Sequence, residues 1–221
     1  MGKRLVIAVP CHTQFAAGFG ISLAALYGEL RGNPPADLDF VGVHYVQGSI
    51  LPQGRIDLVK IAQERKATHM LWLDSDMRFP KDAAHRLLAA DKDIVAANYI
   101  RRVAPYTPTA QSRVTRNKVW SDDRSGVDTE ADLVGMGCMM VNMKVYDAIP
   151  KPWYTFVYYE NGDHFIGEDF YFLENARKAG FPLHIDHDLS KEVEHIGEFG
   201  FDMGFGRGWN RLEDAPAVAA E

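Results

Sequence analysis

Two aspartates at the end of an apolar run are the first residues whose spacing could do chemistry. Asp74 and Asp76 directly follow Met70–Leu73, and in extended backbone residues i and i+2 point to the same side. At the carboxyl edge of a parallel sheet, two such carboxylates suit a Mg²⁺ or Mn²⁺ ion that carries a diphosphate. The same spacing recurs at Asp37/Asp39, Asp91/Asp93 and Asp186/Asp188. Only the strand-end context favours the first pair, and a plain capping role for it stays open.

A second acidic pair, Glu168 and Asp169, follows Gly167 at the start of a predicted helix. The helix dipole favours acids at this position whatever the function, so a purely structural role stays open. If the helix end faces the crevice of Asp74, one acid could act as general base on an attacking hydroxyl while the other orients the site. Because the dipole also lowers the pKa of a carboxyl group, we expect Asp169 to be ionised at neutral pH.

His195 is the third candidate, because it lies between a predicted strand and a glycine-rich segment that contains Gly200, Gly204, Gly206 and Gly208. A neutral imidazole could complete a mainly oxygen-ligated Mn²⁺ site, and the glycine-rich segment could close over a bound ligand. A packing role for His195 is the alternative. Other histidines lack this context, namely His12, His44, His164, His184 and His187.

Hydrophobic periodicity predicts the elements that position these residues. Short apolar runs predict buried strands at Leu5–Val9, Phe40–Val46, His69–Leu73 and Ile94–Ala97. Helical spacing predicts helices around Phe19–Leu30, Ile56–Ala62 and Lys81–Ala90, and later a strand at 134–141, a helix at 167–179 and a strand at 183–185. The predicted fold is therefore α/β, a doubly wound and mainly parallel sheet with a small antiparallel addition.

Residues 98–133 interrupt this alternation and read as loops and short antiparallel strands. They hold a basic segment, Arg101, Arg102, Arg113, Arg116, Lys118 and Arg124. The segment could be a solvated face, or it could steer a polyanionic acceptor.

The composition excludes several classes of protein. The chain has 221 residues, 47 % of them hydrophobic, and 24 Lys and Arg against 30 Asp and Glu give a net charge of −6. Disordered, collagen-like and solenoid proteins are excluded, and a nucleic-acid partner would need a local basic patch. We expect one domain over 1–221, with an α/β half at 1–100, a second half at 101–199 and a flexible segment at 200–221.

The cysteines and the apolar runs predict a cytoplasmic protein without a membrane anchor. Cys11 and Cys138 lie far apart with no metal-binding spacing, so both are expected to be reduced thiols. The first apolar run stops at Pro10 after Leu5–Val9, too short for a signal peptide. No apolar stretch is long enough to span a bilayer.

The order of the motifs resembles that of the GT-A-type nucleotide-sugar glycosyltransferases. The motifs are the strand ending in Asp74-Ser75-Asp76, Gly135-Met136-Gly137 leading into Cys138–Val141, Gly167-Glu168-Asp169 heading a helix, and His195. The resemblance spans residues 4–197 and is nearest to short single-domain members from bacteriophage and bacterial genomes, where a turn like Phe79-Pro80 follows the aspartates. It implies a GT-A, Rossmann-like fold, with nucleotide-sugar binding in the half at 1–100 and acceptor binding and catalysis in the half at 101–199.

The resemblance also implies an activity: transfer of a sugar from a nucleoside-diphosphate sugar, a UDP-sugar first among them, to a hydroxyl acceptor such as a glycan or modified phage DNA. It implies Mn²⁺ or Mg²⁺ at Asp74, Asp76 and His195. It matches Asp169 to the general base of inverting members, with Glu168 beside it. The donor-binding positions that it implies are Pro10, Cys11, His12, Arg55, Asp74, Ser75 and Gly137. A phage-encoded member would act in the host cytoplasm.

Two alternatives remain beside this interpretation. A nucleotidyltransferase shares the sheet and the metal carboxylates, but it usually carries a glycine-rich basic loop after the first strand, where this chain has Pro10–Phe15. A non-catalytic sugar- or nucleotide-binding module would not need the candidate residues to act together. The sequence leaves open the sugar, the nucleobase, the acceptor, the stereochemical outcome and the oligomeric state.

Overall fold

The computed structural model describes residues 2–103, 105–158, 160 and 162–197. Its helices are α1 (Ala17–Gly32), α2 (Leu51–Glu64), α3 (Ala83–Ala89), α4 (Met143–Ala148), α5 (Glu168–Lys178) and α6 (His187–Ser190). Its strands are β1 (Lys3–Cys11), β2 (Leu38–Gln47), β3 (His69–Leu73), β4 (Met77–Arg78), β5 (Ile94–Ala96), β6 (Val127–Asp128), β7 (Cys138–Asn142), β8 (Val157–Tyr158), β9 (Phe165–Ile166), β10 (His184–Asp186) and β11 (Glu194–His195). The predicted glycine-rich segment lies outside the described residues.

The main sheet of the described residues has seven strands in the order β2-β1-β3-β7-β5-β10-β6. Strands β2, β1, β3, β5 and β10 run in one direction, while β7 and β6 run against them. Two small antiparallel pairs, β4 with β11 and β8 with β9, lie apart from this sheet. The predicted mainly parallel α/β fold with a small antiparallel addition is confirmed.

Helices cover both faces of the sheet. On one face α1 and α3 pack with Leu5, Ile7 and Val9 of β1, and on the other α2 and α5 pack with Val6 and Ala8. Side chains of a strand alternate between faces, so a strand covered on both sides must be apolar at every position. This double burial explains the unbroken apolar runs that predicted β1 and β3.

The chain winds outward from β1 in both directions, which creates a switch point in the sheet. Strand β2 lies on one side of β1 after α1, and β3 lies on the other side after α2. The connection that leaves the carboxyl end of β1 therefore leads to β2 on one side, and the connection that leaves β3 leads to β5 on the other side. Open α/β sheets bind ligands in the crevice at such a point.

Residues 98–133 contain little regular structure, and the side chain of Asn98 holds part of this segment in place. Its amide nitrogen donates to the Val119 carbonyl at 2.8 Å, and its amide oxygen accepts from the Ala110 backbone N–H at 2.9 Å. Asn98 itself is buried. The segment is thus fixed against the sheet by side-chain hydrogen bonds, which periodicity does not reveal.

Other expectations are corrected or supported in detail. The predicted strand at 134–141 begins only at Cys138, because the preceding residues form a turn. Cys11 and Cys138 are both buried and unpaired. Among the described residues, no helix combines the length and the apolarity that crossing a bilayer requires.

Candidate functional site

A cleft of about 320 Å³, here called the switch-point cleft, opens over the carboxyl ends of β1 and β3. Its lining includes Pro10, Cys11 and His12 after β1, Asp74, Ser75 and Asp76 after β3, and Tyr99, Arg102 and His195 from farther along the chain. Most of the residues that the sequence nominated for donor and metal binding therefore face one cavity. Arg55 and Gly137 are not in its lining.

Arg55 lies beneath the switch-point cleft, where it joins the two acidic pairs. Its Nη2 is 3.0 Å from Asp74 Oδ1 and its Nε is 3.1 Å from Glu168 Oε1, although Glu168 lies 113 residues away in sequence. The guanidinium also lies 5.2 Å from the centre of the Trp72 ring. Arg55 is only 1 % exposed, so a donor phosphate in the cleft could contact it only after a rearrangement of the surrounding side chains.

The charge of Arg55 sets the electrostatics of the site. Burial raises the pKa of Asp74 above its ordinary value, against the opposing effect of the Arg55 guanidinium. The two carboxylates in turn raise the pKa of Arg55 in spite of its burial, so the side chain stays charged. Arg55 therefore orients the carboxylates of Asp74 and Glu168 and places its positive charge between them.

Asp76 and His195 meet through the small sheet formed by β4 and β11. His195 pairs with Met77, and the Ile196 N–H donates to the Asp76 carbonyl at 2.7 Å. His195 Nε2 then lies 3.5 Å from Asp76 Oδ2, while its Nδ1 lies 3.2 Å from the Ile100 carbonyl oxygen. That carbonyl can only accept, so Nδ1 carries a proton, and Nε2 is the ring nitrogen that faces Asp76.

Arg102 places a positive charge beside Asp76. Its Nη1 lies 2.6 Å from Asp76 Oδ2. Burial by itself would raise the pKa of Asp76, but the His195 hydrogen bond and the Arg102 charge outweigh it and hold the pKa below its ordinary value. Asp76 is therefore ionised at neutral pH and presents its charge to the cleft.

A divalent cation at this site would need most of its ligands from a bound molecule and from water. Within the described ranges, no group of three or more His, Cys, Asp or Glu side chains is arranged to hold a metal. Mg²⁺ and similar cations usually take one or two carboxylates and fill the remaining positions with substrate phosphates and water. Asp76 and His195 offer one carboxylate and one imidazole, and a second ring nitrogen bonded to a carbonyl is typical of a metal-bound histidine.

Gly137 supports the site from behind Asp74. Its N–H donates to Tyr99 Oη at 3.1 Å, and its carbonyl accepts from the Asp74 N–H at 3.1 Å. The Tyr99 ring in turn packs edge-on against His195, with 5.3 Å between ring centres. A Cβ on Gly137 would lie 2.8 Å from Tyr99 Oη and 2.9 Å from Met77 Sδ, which no side chain can occupy without displacement.

Gly137→Ala is expected to destabilise the protein by about 1–3 kcal/mol, because the added methyl group overpacks a buried contact. The matched control is Gly28→Ala in α1, where an added Cβ meets no atom within 4 Å. That variant should gain about 0.5–1 kcal/mol from helix propensity. Urea denaturation of both variants measures the difference, and equal stabilities would contradict the close approach to Tyr99.

Asp169 lies at the start of α5 and faces a second cleft of about 460 Å³, here called the middle cleft. Tyr99, Arg102 and His195 line both this cavity and the switch-point cleft, so the two adjoin. Glu168, in contrast, is 6 % exposed and points to Arg55. The structure thus separates the acidic pair into one carboxylate that faces a cavity and one that is held beneath it.

The prediction that the pKa of Asp169 is lowered is wrong. Burial and the negative charge of Glu168 raise the pKa of Asp169 to about 7, in spite of a hydrogen bond from the Phe170 N–H to its Oδ1 at 2.7 Å. The helix dipole lowers the pKa of Asp169 by less than burial and the negative charge of Glu168 raise it. Asp169 consequently titrates near neutral pH.

Sequence reasoning missed Tyr99 and the pairing of Arg102 with Asp76. Both residues follow β5, which runs parallel to β3, so they arrive at the same edge of the sheet as Asp74. The signal that singled out Asp74, a polar side chain just after a buried strand, was present here as well. The link between Arg55 and Glu168 carries no sequence signal at all.

Comparisons with known proteins agree with the fold and leave the family open. No protein-family model matches the chain, and no curated protein matches it in sequence. The chain is similar to a solved structure, A197 from STIV, at 10 % identity and a TM-score of 0.53, over 90 % of this chain and 97 % of that one. The fold is thus a Rossmann-like α/β fold shared with a viral protein across nearly its whole length.

Proposed function

We propose that this protein is a glycosyltransferase that moves a sugar from a nucleoside-diphosphate sugar to a hydroxyl acceptor. The observation that carries the proposal is the arrangement of two adjoining clefts. One holds Asp76 and His195 at the switch point, and the other holds Asp169, whose pKa is about 7. A Rossmann-like fold with such a crevice is consistent with GT-A-type enzymes.

In this proposal the nucleoside diphosphate occupies the switch-point cleft. Asp76 and His195 would hold Mn²⁺ or Mg²⁺ together with the diphosphate, with Asp74 oriented beside them by Arg55. The metal, when bound, stabilises the negative charge that develops on the departing diphosphate. Arg102, at the boundary of the two clefts, adds a fixed positive charge next to the same group.

Asp169 is the proposed general base in the middle cleft. The acceptor hydroxyl gives its proton to the Asp169 carboxylate, its oxygen bonds to the anomeric carbon, and the bond from that carbon to the diphosphate breaks with the electron pair leaving on the diphosphate. A carboxyl group with a pKa of about 7 is a stronger base than an ordinary aspartate and is still half ionised at neutral pH. This is an inverting path.

The proposal is tested by calorimetry with Mn²⁺ and nucleoside diphosphates, followed by a screen of nucleoside-diphosphate sugars for release of the nucleoside diphosphate. We expect binding that needs the metal and turnover with at least one donor. Binding without turnover of any donor would instead indicate a non-catalytic module. Release of pyrophosphate from a nucleoside triphosphate and a sugar phosphate would indicate a nucleotidyltransferase.

Removal of a metal ligand is expected to weaken Mn²⁺ binding in the presence of UDP. Asp76→Asn and His195→Ala should each raise the dissociation constant at least about tenfold, because even indirect ligand partners contribute that much. Titration calorimetry measures the constant. His184→Ala is a matched control, since its Nδ1 also lies 3.2 Å from a backbone carbonyl, that of Ile94, but its side chain lines a different groove.

The same variants separate a ligand role from a packing role for His195. Loss of Mn²⁺ affinity with a melting temperature within a few degrees of the parent protein supports the ligand role. A large loss of stability with unchanged Mn²⁺ affinity would assign His195 to packing. Unchanged affinity in both Asp76→Asn and His195→Ala would move the metal elsewhere.

A further inference from the structure

The middle cleft carries positive charge that the described part of the chain does not neutralise. Arg101, Arg102 and Lys118 line it, with Asp169 at its edge. Arg102 is paired with Asp76, but no acidic side chain within the described residues pairs with Arg101 or Lys118. Arg101 and Lys118 therefore have no ion-pair partner in the described part of the chain.

Lys118 is half-buried, so water surrounds its positive charge only in part. Its Nζ donates to Gln111 Oε1 at 2.7 Å, a neutral amide that is itself buried. Burial and the nearby charge of Arg101 lower the pKa of Lys118. An ammonium held away from water beside a like charge is unfavourable, and a bound anion would relieve it.

The basic residues of the neighbouring cavity differ from Arg101 and Lys118 in their partners. A third cleft of about 770 Å³ shares Asp169 and Phe170 with the middle cleft and is lined by further basic residues. There Arg113 lies 2.9 Å from Glu174, and Lys178 lies 3.7 Å from the same carboxylate. Arg113 and Lys178 therefore have an acidic partner, whereas Arg101 and Lys118 of the middle cleft have none among the described residues.

We propose that the acceptor carries an oxyanion, a phosphate or a carboxylate, that binds between Arg101 and Lys118 while its hydroxyl meets Asp169. The inference rests on the proposed function, because it assigns the middle cleft to the acceptor. A volume of about 460 Å³ lies in the range of small-molecule sites. The net charge of −6 favours a single anionic group over an extended polyanion.

The test titrates inorganic phosphate, glucuronate and neutral glucose into ¹⁵N-labelled protein, with and without UDP and Mg²⁺ to fill the switch-point cleft. We expect at least one of the two anions to bind with UDP present and to shift resonances of residues in the middle cleft, while glucose does not. Lys118→Met and Arg101→Gln should each weaken that binding about tenfold, as expected for loss of a hydrogen bond to a charged group. Which anion binds identifies the oxyanion.

Matched controls are Lys144→Gln and Arg86→Gln, whose side chains pair with acids away from the middle cleft. Arg101 is exposed, so Arg101→Gln keeps the test valid even if Lys118→Met fails to fold. Binding of neither anion, or binding equally strong in Arg101→Gln and the controls, overturns the inference.

The two proposals fail in distinguishable ways. If anion binding depends on Arg101 and Lys118 but no donor is turned over, the oxyanion site stands and the glycosyltransferase proposal fails. If donors are turned over but anion binding ignores Arg101 and Lys118, glycosyl transfer stands and the charged acceptor is wrong.

Discussion

Asp169→Asn is expected to cut glycosyl transfer by about 10²–10⁴-fold while leaving UDP affinity nearly intact. The substitution keeps the Oδ1 atom that accepts from the Phe170 N–H, so the start of α5 should be preserved. It removes only the ability to accept a proton from the acceptor. Steady-state kinetics with a donor from the screen, together with UDP calorimetry, measures both quantities.

The pH dependence provides an independent check of the same assignment. Because the base must be ionised and its pKa is about 7, kcat/KM should fall as the pH drops below that value, to roughly a hundredth at two units below. Glu168→Gln removes the like charge that raises this pKa, so the acidic limb should move to lower pH. A profile that Glu168→Gln leaves unchanged, or an Asp169→Asn variant with full activity, would contradict the role of Asp169 as base.

Asp169 also imposes a cost in stability that its replacement should relieve. A carboxyl group whose pKa is raised on folding opposes the folded state once it ionises, so the penalty is absent below its unfolded pKa and complete above about 7. Asp169→Asn should therefore have a higher melting temperature than the parent protein at pH 8. The difference should vanish near the ordinary pKa of an aspartate, which a pH series of melting curves will show.

Arg55→Met is expected to destabilise the protein by about 3–5 kcal/mol, because it leaves the buried Glu168 and the half-buried Asp74 without their cation. The variant should also lose transfer, since both acidic pairs lose their orientation. The matched control is Arg86→Met, which breaks exposed pairs with Asp82 and Glu192 and should cost about 1 kcal/mol or less. Urea denaturation compares the two variants.

A double variant isolates the charge effect from the loss of packing over Trp72. Adding Glu168→Gln to Arg55→Met removes one of the two stranded charges, so the double variant should be more stable than the sum of the single changes predicts. Strict additivity, or equal losses for Arg55→Met and Arg86→Met, would show that Arg55 does not compensate these carboxylates.

The strands that hold the site could be predicted because their burial leaves a mark in the sequence. Leu5–Val9 and His69–Leu73 are apolar at nearly every position, since both faces of β1 and β3 are covered. The position of Asp74 after such a run also predicted its place at the sheet edge, which the switch-point cleft confirms.

The rest depended on packing that no local pattern records. Arg55 meets Glu168 across 113 residues of sequence, and no pattern in either helix indicates that the two residues pair. The pKa of Asp169 could not be predicted for the same reason, because the helix dipole is visible in the sequence while burial and the distance to Glu168 are not.

The position of Arg55 between Asp74 and Glu168 also restricts which substitutions the protein can accept at these three positions. Loss of Arg55 leaves Asp74 and Glu168 without their cation, so a substitution there gives a destabilised intermediate that only a second substitution repairs. Positions 55, 74 and 168 should therefore covary among related chains, as a unit inherited or replaced together. The two acidic motifs lie far apart in the sequence, but we expect them to change together because Arg55 contacts a residue of each.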